Sequence, residues 1–399
     1  MKYSILFSLI CGCLSFTSTA NESIELSQEL AVIQDAKPIR RVPPKYPVNQ
    51  ARNGVDGWVK LSFIVEPDGK TSNAIVESSS GISAFEREAL KAVQKWQYDP
   101  AMENGKAIQQ CYNSVRMEFS MGRNKPTVSK KFYRLYDKLA SALDAKEAKD
   151  IEDYAERVAK YKIKTLEESQ YKYTILADYS EYVGDKEQQL SYLDAAASFS
   201  GASDYFKYKR GLESVASVGL EVDSKSSREE QLSAVKKRRY AHIDKVLFPI
   251  LHKKLVIELE FGQVSEALRT VNGILLLDSA SNNQAVYSKQ KAFLKEIIDG
   301  DRPIVTSANI EENQFWHYRL LRNTFQLTDI NGRLTKLDVR CRNKRHVYTV
   351  DDRSVWQLPE TWQGCGVYIY GEDNTQFKLV ELPSVLANQD ASDTEAASD

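Results

Sequence analysis

Apolar and polar residues alternate with period two along Val59–Glu66. Val59, Leu61, Phe63 and Val65 fall on one side, and Lys60, Ser62 and Glu66 on the other. This is the pattern of a strand with one buried face. Pro67-Asp68-Gly69 supplies turn chemistry, and a second strand is expected over about Thr71 to Ser78. The period then changes. In FEREALKAVQKWQYDPA, residues 85–101, Phe85, Ala89, Ala92, Val93 and Trp96 gather on one helical face, while Glu86, Arg87, Glu88, Lys91 and Lys95 take the other. Asp99-Pro100 is expected to end this helix, because proline removes a backbone donor and restricts the residue before it. A third strand is expected from about Ile108 to Phe119, with Val115, Met117 and Phe119 on one face and Tyr112, Ser114, Arg116 and Glu118 on the other. Cys111 shares the parity of Val115, which predicts a buried small hydrophobe. The order strand, strand, helix, strand predicts a small antiparallel sheet whose one face is covered by the helix's apolar stripe.

From Val128 to Asp299 the pattern is helical, alanine-rich and poor in proline. YKYTILADYSEYVGDKEQQLSYLDAAASF resembles a tetratricopeptide helix pair, with Tyr173, Leu176, Ala177 and Ala196 near the repeat's aromatic, leucine and small positions and Gly184-Asp185 at the turn. LVIELEFGQVSEALRTVNGILLLD is a second candidate, turning at Gly262. The two glycines are not separated by a multiple of the ~34-residue period, so an irregular helical repeat is expected. Stacked helix pairs present a concave surface suited to protein segments.

After Arg302-Pro303 the chain reads as strands. Asn331-Gly332 lies between two alternating runs and predicts a hairpin. Leu337, Val339 and Cys341 share one parity, and Cys365, Val367 and Ile369 share another. Both cysteines therefore point into a common apolar interior, which predicts a Cys341–Cys365 disulfide contributing about 3 kcal/mol by loop closure. Trp356, Trp362, Tyr368 and Phe377 suit the same all-β core.

The 399-residue length adds an expectation of several domains. These are a signal peptide at 1–20, an α+β domain at 37–123, a helical domain at 128–299, an all-β domain at 304–383 and a disordered acidic tail at 387–399. Met1-Lys2, the apolar run Tyr3–Phe16 and Ser18-Thr19-Ala20 carry the signal-peptide pattern. An uncleaved anchor and a lipid attached in Ile10-Cys11-Gly12-Cys13 remain open beside it. Cleavage leaves Cys111, Cys341 and Cys365, one bridge and one lone thiol, as suits an oxidising compartment.

A formal net charge of -1 argues against a nucleic-acid role for the whole chain. Lys236-Lys237-Arg238-Arg239 reads as a solvated helix face. His242, His252, His317 and His346 lack metal-ligand spacing, and no glycine-rich phosphate loop occurs. No enzyme, cofactor or metal is expected.

PPKYP (43–47), VDGWVKLSFIVEPDG (55–69), FEREALKAVQKWQYDPA (85–101) and the strand through VRMEF occur in the order found in the TonB family's C-terminal domain, which residues 38–119 resemble. The resemblance implies a periplasmic module that takes a TonB-box-like peptide of an outer-membrane transporter as an added strand. The implied contacts are Tyr46 and Pro47 and the edge strand carrying Ile108, Gln110, Tyr112, Ser114 and Arg116. Arg40 and Arg41, with Lys45 and Arg52, suit acidic residues on a partner, although such charges are more often merely solvated. The resemblance also implies transducer-complex components as partners and a homodimer formed by strand exchange.

Transducers of this family carry an inner-membrane helix with a motor-coupling histidine, then a long proline-rich spacer. The first histidine here is His242, and neither pattern precedes Pro38. An accessory to energy-dependent transport is therefore expected. Two alternatives stand beside it: an envelope scaffold contacting peptidoglycan or proteins through the helices, and a true transducer with an uncleaved anchor.

Overall fold

The structure, a computed structural model, describes residues 33–121, 128–198, 202, 205, 206, 208–210, 227–310, 314–350, 354–362 and 364–383, without the side chains of 33 and 227–237. The expected leader, the acidic tail and the side chains of Lys236 and Lys237 lie outside this set.

The first region is built on an antiparallel sheet of β3 (Gly57–Val65), β4 (Thr71–Ser79) and β8 (Gln110–Phe119), in the order β4-β3-β8. Gly69 makes the β3–β4 turn at φ 79°, and a Cβ there would lie 2.1 Å from the Tyr98 carbonyl oxygen, so only glycine fits. Helix α2 (Ser83–Val93) lies across one face of the sheet. Phe85, Ala89 and Val93 pack on Val59, Leu61, Phe63, Val65, Met117 and Phe119. A short helix α1 (Val48–Asn53) precedes β3.

Helix α2 ends at Val93, earlier than Asp99-Pro100. Trp96 still reaches the core, but from a turn, with its indole N–H donating to the Val42 carbonyl at 2.8 Å. Residues Gln97–Asp99 are extended as β5 and pair with β2 (Lys37–Arg40). The Tyr98 amide donates to the Gly69 carbonyl. The helical spacing of Trp96 thus reported burial correctly and conformation incorrectly.

Ile108 also departs from expectation. It closes β7 (Lys106–Ile108), which forms a hairpin with β6 (Ala101–Glu103); β6 in turn pairs with β1 (Ile33–Gln34). Asn104 and Gly105 turn that hairpin at φ 49° and 78°, the two positive values a type I′ turn requires.

Seven helices follow among the described residues: α3 (Lys130–Ala145), α4 (Ala148–Ala159), α5 (Leu166–Val183), α6 (Lys186–Ala197), α7 (Ser227–Glu260), α8 (Val264–Leu275) and α9 (Gln284–Asp299). Each packs on its neighbour in the chain. Ser129, Thr165 and Asp185 cap α3, α5 and α6 by accepting backbone N–H groups. Gly184 and Gly262, at φ 78° and 67°, turn the chain at the two expected places. Helix lengths of 12 to 34 residues keep no constant repeat.

The last region consists of two four-stranded antiparallel sheets around one apolar core. The first contains β10 (Phe315–Arg319), β15 (Gly366–Gly371), β12 (Leu334–Arg340) and β13 (Arg345–Tyr348), in that order. The second contains β14 (Val355–Gln357), β11 (Thr324–Asn331), β16 (Gln376–Leu382) and β9 (Ile304–Asn309). Cys341 and Cys365 are joined inside the core, as strand parity predicts.

Asn331-Gly332 does not form a hairpin. β11 pairs with β14 and β16, whereas β12 pairs with β13 and β15, so the turn carries the chain from one sheet to the other. Tyr368 also leaves the predicted core. It is fully buried, but its hydroxyl donates at 2.7 Å to Glu77 of β4.

That contact fixes the layer order. The β4-β3-β8 sheet lies between α2 on one face and the β10-β15-β12-β13 sheet on the other, with the second C-terminal sheet beyond.

Candidate docking edge

Strand β8 is terminal in its sheet, so among the described residues no strand pairs along its outer edge. Such an edge presents unpaired backbone donors and acceptors to an incoming strand. Its first residues are less open. The β3–β8 register shifts between Phe63 and Val65, and there the Cys111 amide donates to the Arg342 carbonyl of the C-terminal region at 3.1 Å. Cys111 is buried as expected, but against Glu66, Asp338, Arg340 and Arg345 rather than beneath α2; burial first, then Glu66, pushes its thiol up to about 12. That thiol is inert.

The side chains along this strand are mostly engaged. Gln110 accepts from the Ala36 amide at 2.6 Å. Tyr112 lies against Gly366 with the Arg319 guanidinium 5.5 Å from its ring centre, and burial raises its phenol pKa. Arg116 stacks 4.0 Å over Trp58 and donates to the Ser198 carbonyl at 2.6 Å, which ties β8 to the end of α6. Burial lowers its pKa, with Glu118 opposing. Beyond the register shift, Ser114 and Glu118 are the exposed side chains of β8. Ile108 is on β7 and outside this edge.

The upstream residues divide similarly. Tyr46 donates to the Val55 carbonyl at 2.7 Å and meets Phe85 and Phe119 edge-on, so it is half-buried against the core. Pro47 caps α1 and lines a trough of about 550 Å³ with Val48, Ile82, Ser83 and Arg87. Arg41 donates to the Tyr98 hydroxyl at 2.9 Å and lies over the Trp96 and Tyr98 rings. Arg40, Lys45 and Arg52 are exposed.

The second face of the sheet holds what the sequence pattern did not reveal. Burial alone would raise the Glu77 carboxyl, but Lys60, His317 and the Tyr368 hydroxyl together hold it below its ordinary value. The Lys60 ammonium lies 2.8 Å from it. Burial brings the His317 imidazole down to about 4, with Glu77 opposing. Arg340, 1% exposed, pairs with Asp338, stacks over Tyr368 and donates to the Asn73 carbonyl at 3.2 Å. The only sequence signal was charge at alternate positions of β12, which ordinarily marks a solvated face.

Among the described residues no cluster of His, Cys, Asp or Glu is placed to hold a metal ion, and no helix is long and apolar enough to cross a membrane.

The class of module defined here is a helix-backed antiparallel sheet with an open terminal strand, a geometry to which an extended segment can in principle add. Residues 42–121 match the family described as Gram-negative bacterial TonB protein C-terminal, to which this region of the chain is similar. It is 35% identical over 74 residues to protein TonB of Pseudomonas aeruginosa, which covers 18% of this chain and 22% of that protein. It is 33% identical over 70 residues to protein TonB of Escherichia coli, covering 18% and 29% respectively. A solution NMR structure of the Pseudomonas aeruginosa TonB CTD is similar at 30% identity over 23% of this chain and 92% of that one, with a TM-score of 0.21. The chain thus spans less than a third of the two curated relatives.

Proposed function

We propose that this protein is a periplasmic, non-enzymatic accessory of energy-dependent outer-membrane transport, and that it binds an extended TonB-box-like segment of a transporter or of a transducer-complex component along β8. The observation that carries the proposal is that β8, ten residues long, is the terminal strand of a TonB C-terminal family sheet. Strand addition draws affinity from backbone hydrogen bonds, which need only a free edge, and discrimination from the side chains beside it. Because the Cys111 amide already has a partner, the guest pairs from Asn113 onward. Ser114 and Glu118 flank it, while Tyr112 and Arg116 act by holding the strand in place. Arg40, Lys45 and Arg52 favour acidic residues in the partner. Tyr46 supports the end of β8 through Phe119 rather than touching the guest, and Pro47 stands apart at the trough beside α1.

A photo-crosslinking amino acid in place of Ser114, introduced in cells, tests this. The expected adduct is an outer-membrane transporter, absent when the crosslinker replaces exposed Tyr133 on α3. Identical adducts at both positions, or adducts only to a second copy of this chain, would refute the proposal.

The envelope-scaffold alternative has one observation in its favour: Tyr133, Tyr171 and Tyr182 are exposed on α3 and α5, an arrangement suited to glycan or protein contact. Cosedimentation with peptidoglycan that survives deletion of residues 37–123 would favour it.

A further inference from the structure

A cavity of about 620 Å³ lies between the helical region and the C-terminal sheets, within the volume range of small-molecule sites. Its apolar lining includes Leu251 of α7 and Leu276 just after α8. Cations face the same space: Arg269 of α8, Lys291 of α9 and Arg319 of β10. Lys254 also lines it, but its ammonium is held by Asp194 and Glu258. Arg269 pairs with Glu266 at 3.2 Å. Lys291 and Arg319 have no carboxylate within ion-pair distance among the described residues, and Lys291 is half-buried. A partly exposed ammonium with no carboxylate beside it is available to an incoming anion, which need displace no protein partner.

Gly273 supplies an independent observation. It stands inside α8, where glycine weakens a helix, yet its backbone is not left-handed and a Cβ would meet Leu251 no closer than 3.6 Å. Packing therefore does not demand a glycine. The residue does open onto the cavity, where a larger side chain would fill the space.

We propose that this cavity binds a small amphiphilic anion, a long-chain carboxylate in chemical class, with its head at Lys291 and Arg319 and its hydrocarbon body over Leu251 and Leu276. A small hydrated anion would leave the leucines wet and gain nothing from them. An extended peptide finds no ladder along the helical walls, whose backbone groups are used within the helices.

Isothermal titration of the full chain with dodecanoate below its micellar concentration tests the proposal, with dodecyltrimethylammonium as the cationic counterpart. Saturable one-to-one binding of dodecanoate alone is expected. Lys291→Gln should weaken it about tenfold through loss of one charge-assisted contact. Gly273→Leu should abolish it, while Gly273→Ala, which suits the helix better, should leave it intact. Failure of dodecanoate to bind, equal binding of the cation, or an unchanged affinity in Lys291→Gln would overturn the proposal; that last variant decides the matter if Gly273→Leu does not fold.

Discussion

The β4-β3-β8 sheet is buried on both faces, but by different chemistry. Beneath α2 the contacts are almost wholly apolar: Phe85, Ala89 and Val93 meet Leu61, Phe63 and Val65, all at most 1% exposed. On the opposite face, Glu77, Ser62, Tyr112 and Lys60 meet Tyr368, His317 and Arg340. The apolar face is held by a non-directional force that tolerates small shifts and belongs to the first region's own fold. The polar face is directional. The Tyr368–Glu77 and Arg340–Asn73 hydrogen bonds form only where the two regions meet in one placement, so this face fixes how the regions sit while adding modest net stability. A domain whose relatives match it alone is here locked to a second sheet through hydrogen bonds that its own fold does not require.

The contrast can be broken most forcefully from the apolar side. Phe85→Ala should cost about 3–5 kcal/mol, and hydrogen exchange should accelerate throughout residues 57–119 while the disulfide-tied sheets remain protected. Loss of protection spread equally over both regions would mean that the first region does not fold as its own unit.

Acid should act on the polar side. The unfolded histidine binds a proton near its ordinary value of 6.5, and buried His317 only near 4. Between those values the unfolded chain holds more protons, so stability should fall as pH drops through the window, by roughly 3 kcal/mol in total. Glu381, raised by burial from 4.5 to about 7, tilts the opposite way: the stability it contributes is present below 4.5 and is lost as pH rises through 7. Urea titrations in a Glu381→Gln background remove this opposing carboxyl, and His317→Gln should then make the acid limb less steep, the remainder belonging to carboxyls held below their ordinary values, such as Glu77 and Asp338.

The smallest effect should come from Tyr368→Phe. Loss of its hydrogen bond to the Glu77 carboxylate should cost about 1.5 kcal/mol, with faster exchange at β3, β4, β12 and β15 and none beneath α2. A change beneath α2 would show that the two faces are coupled.

Two Asn-Gly pairs show how far local pattern reaches. At Asn104-Gly105 both residues adopt positive φ and the flanking strands pair as a hairpin. At Asn331-Gly332 only the glycine does, at 119°, and it sits so close to Thr375 that a Cβ would lie 2.5 Å from the hydroxyl oxygen. The same dipeptide thus ends one ladder and changes sheets in the other. The choice rests on which distant strands, β14, β15 and β16, compete for the edges. Likewise the periodicity of β8 marks a strand, and only the family resemblance implied a sheet border, but the engagement of Arg116 by Ser198 and of the Cys111 amide by Arg342 spans separations no local window covers.

By itself the sequence determined the strands β3, β4 and most of β8, the helix over them, the turns at Gly69, Gly184 and Gly262, and the pairing of Cys341 with Cys365. Each of these follows from side-chain periodicity or backbone freedom within a few residues. Only the tertiary structure decided where α2 stops, which strands Asn331-Gly332 separates, and that the polar face of the sheet is covered. A charged residue at an outward strand position reads the same whether water or an opposing sheet satisfies it, and only the arrival of Tyr368 and Arg340 from the far end of the chain makes the difference.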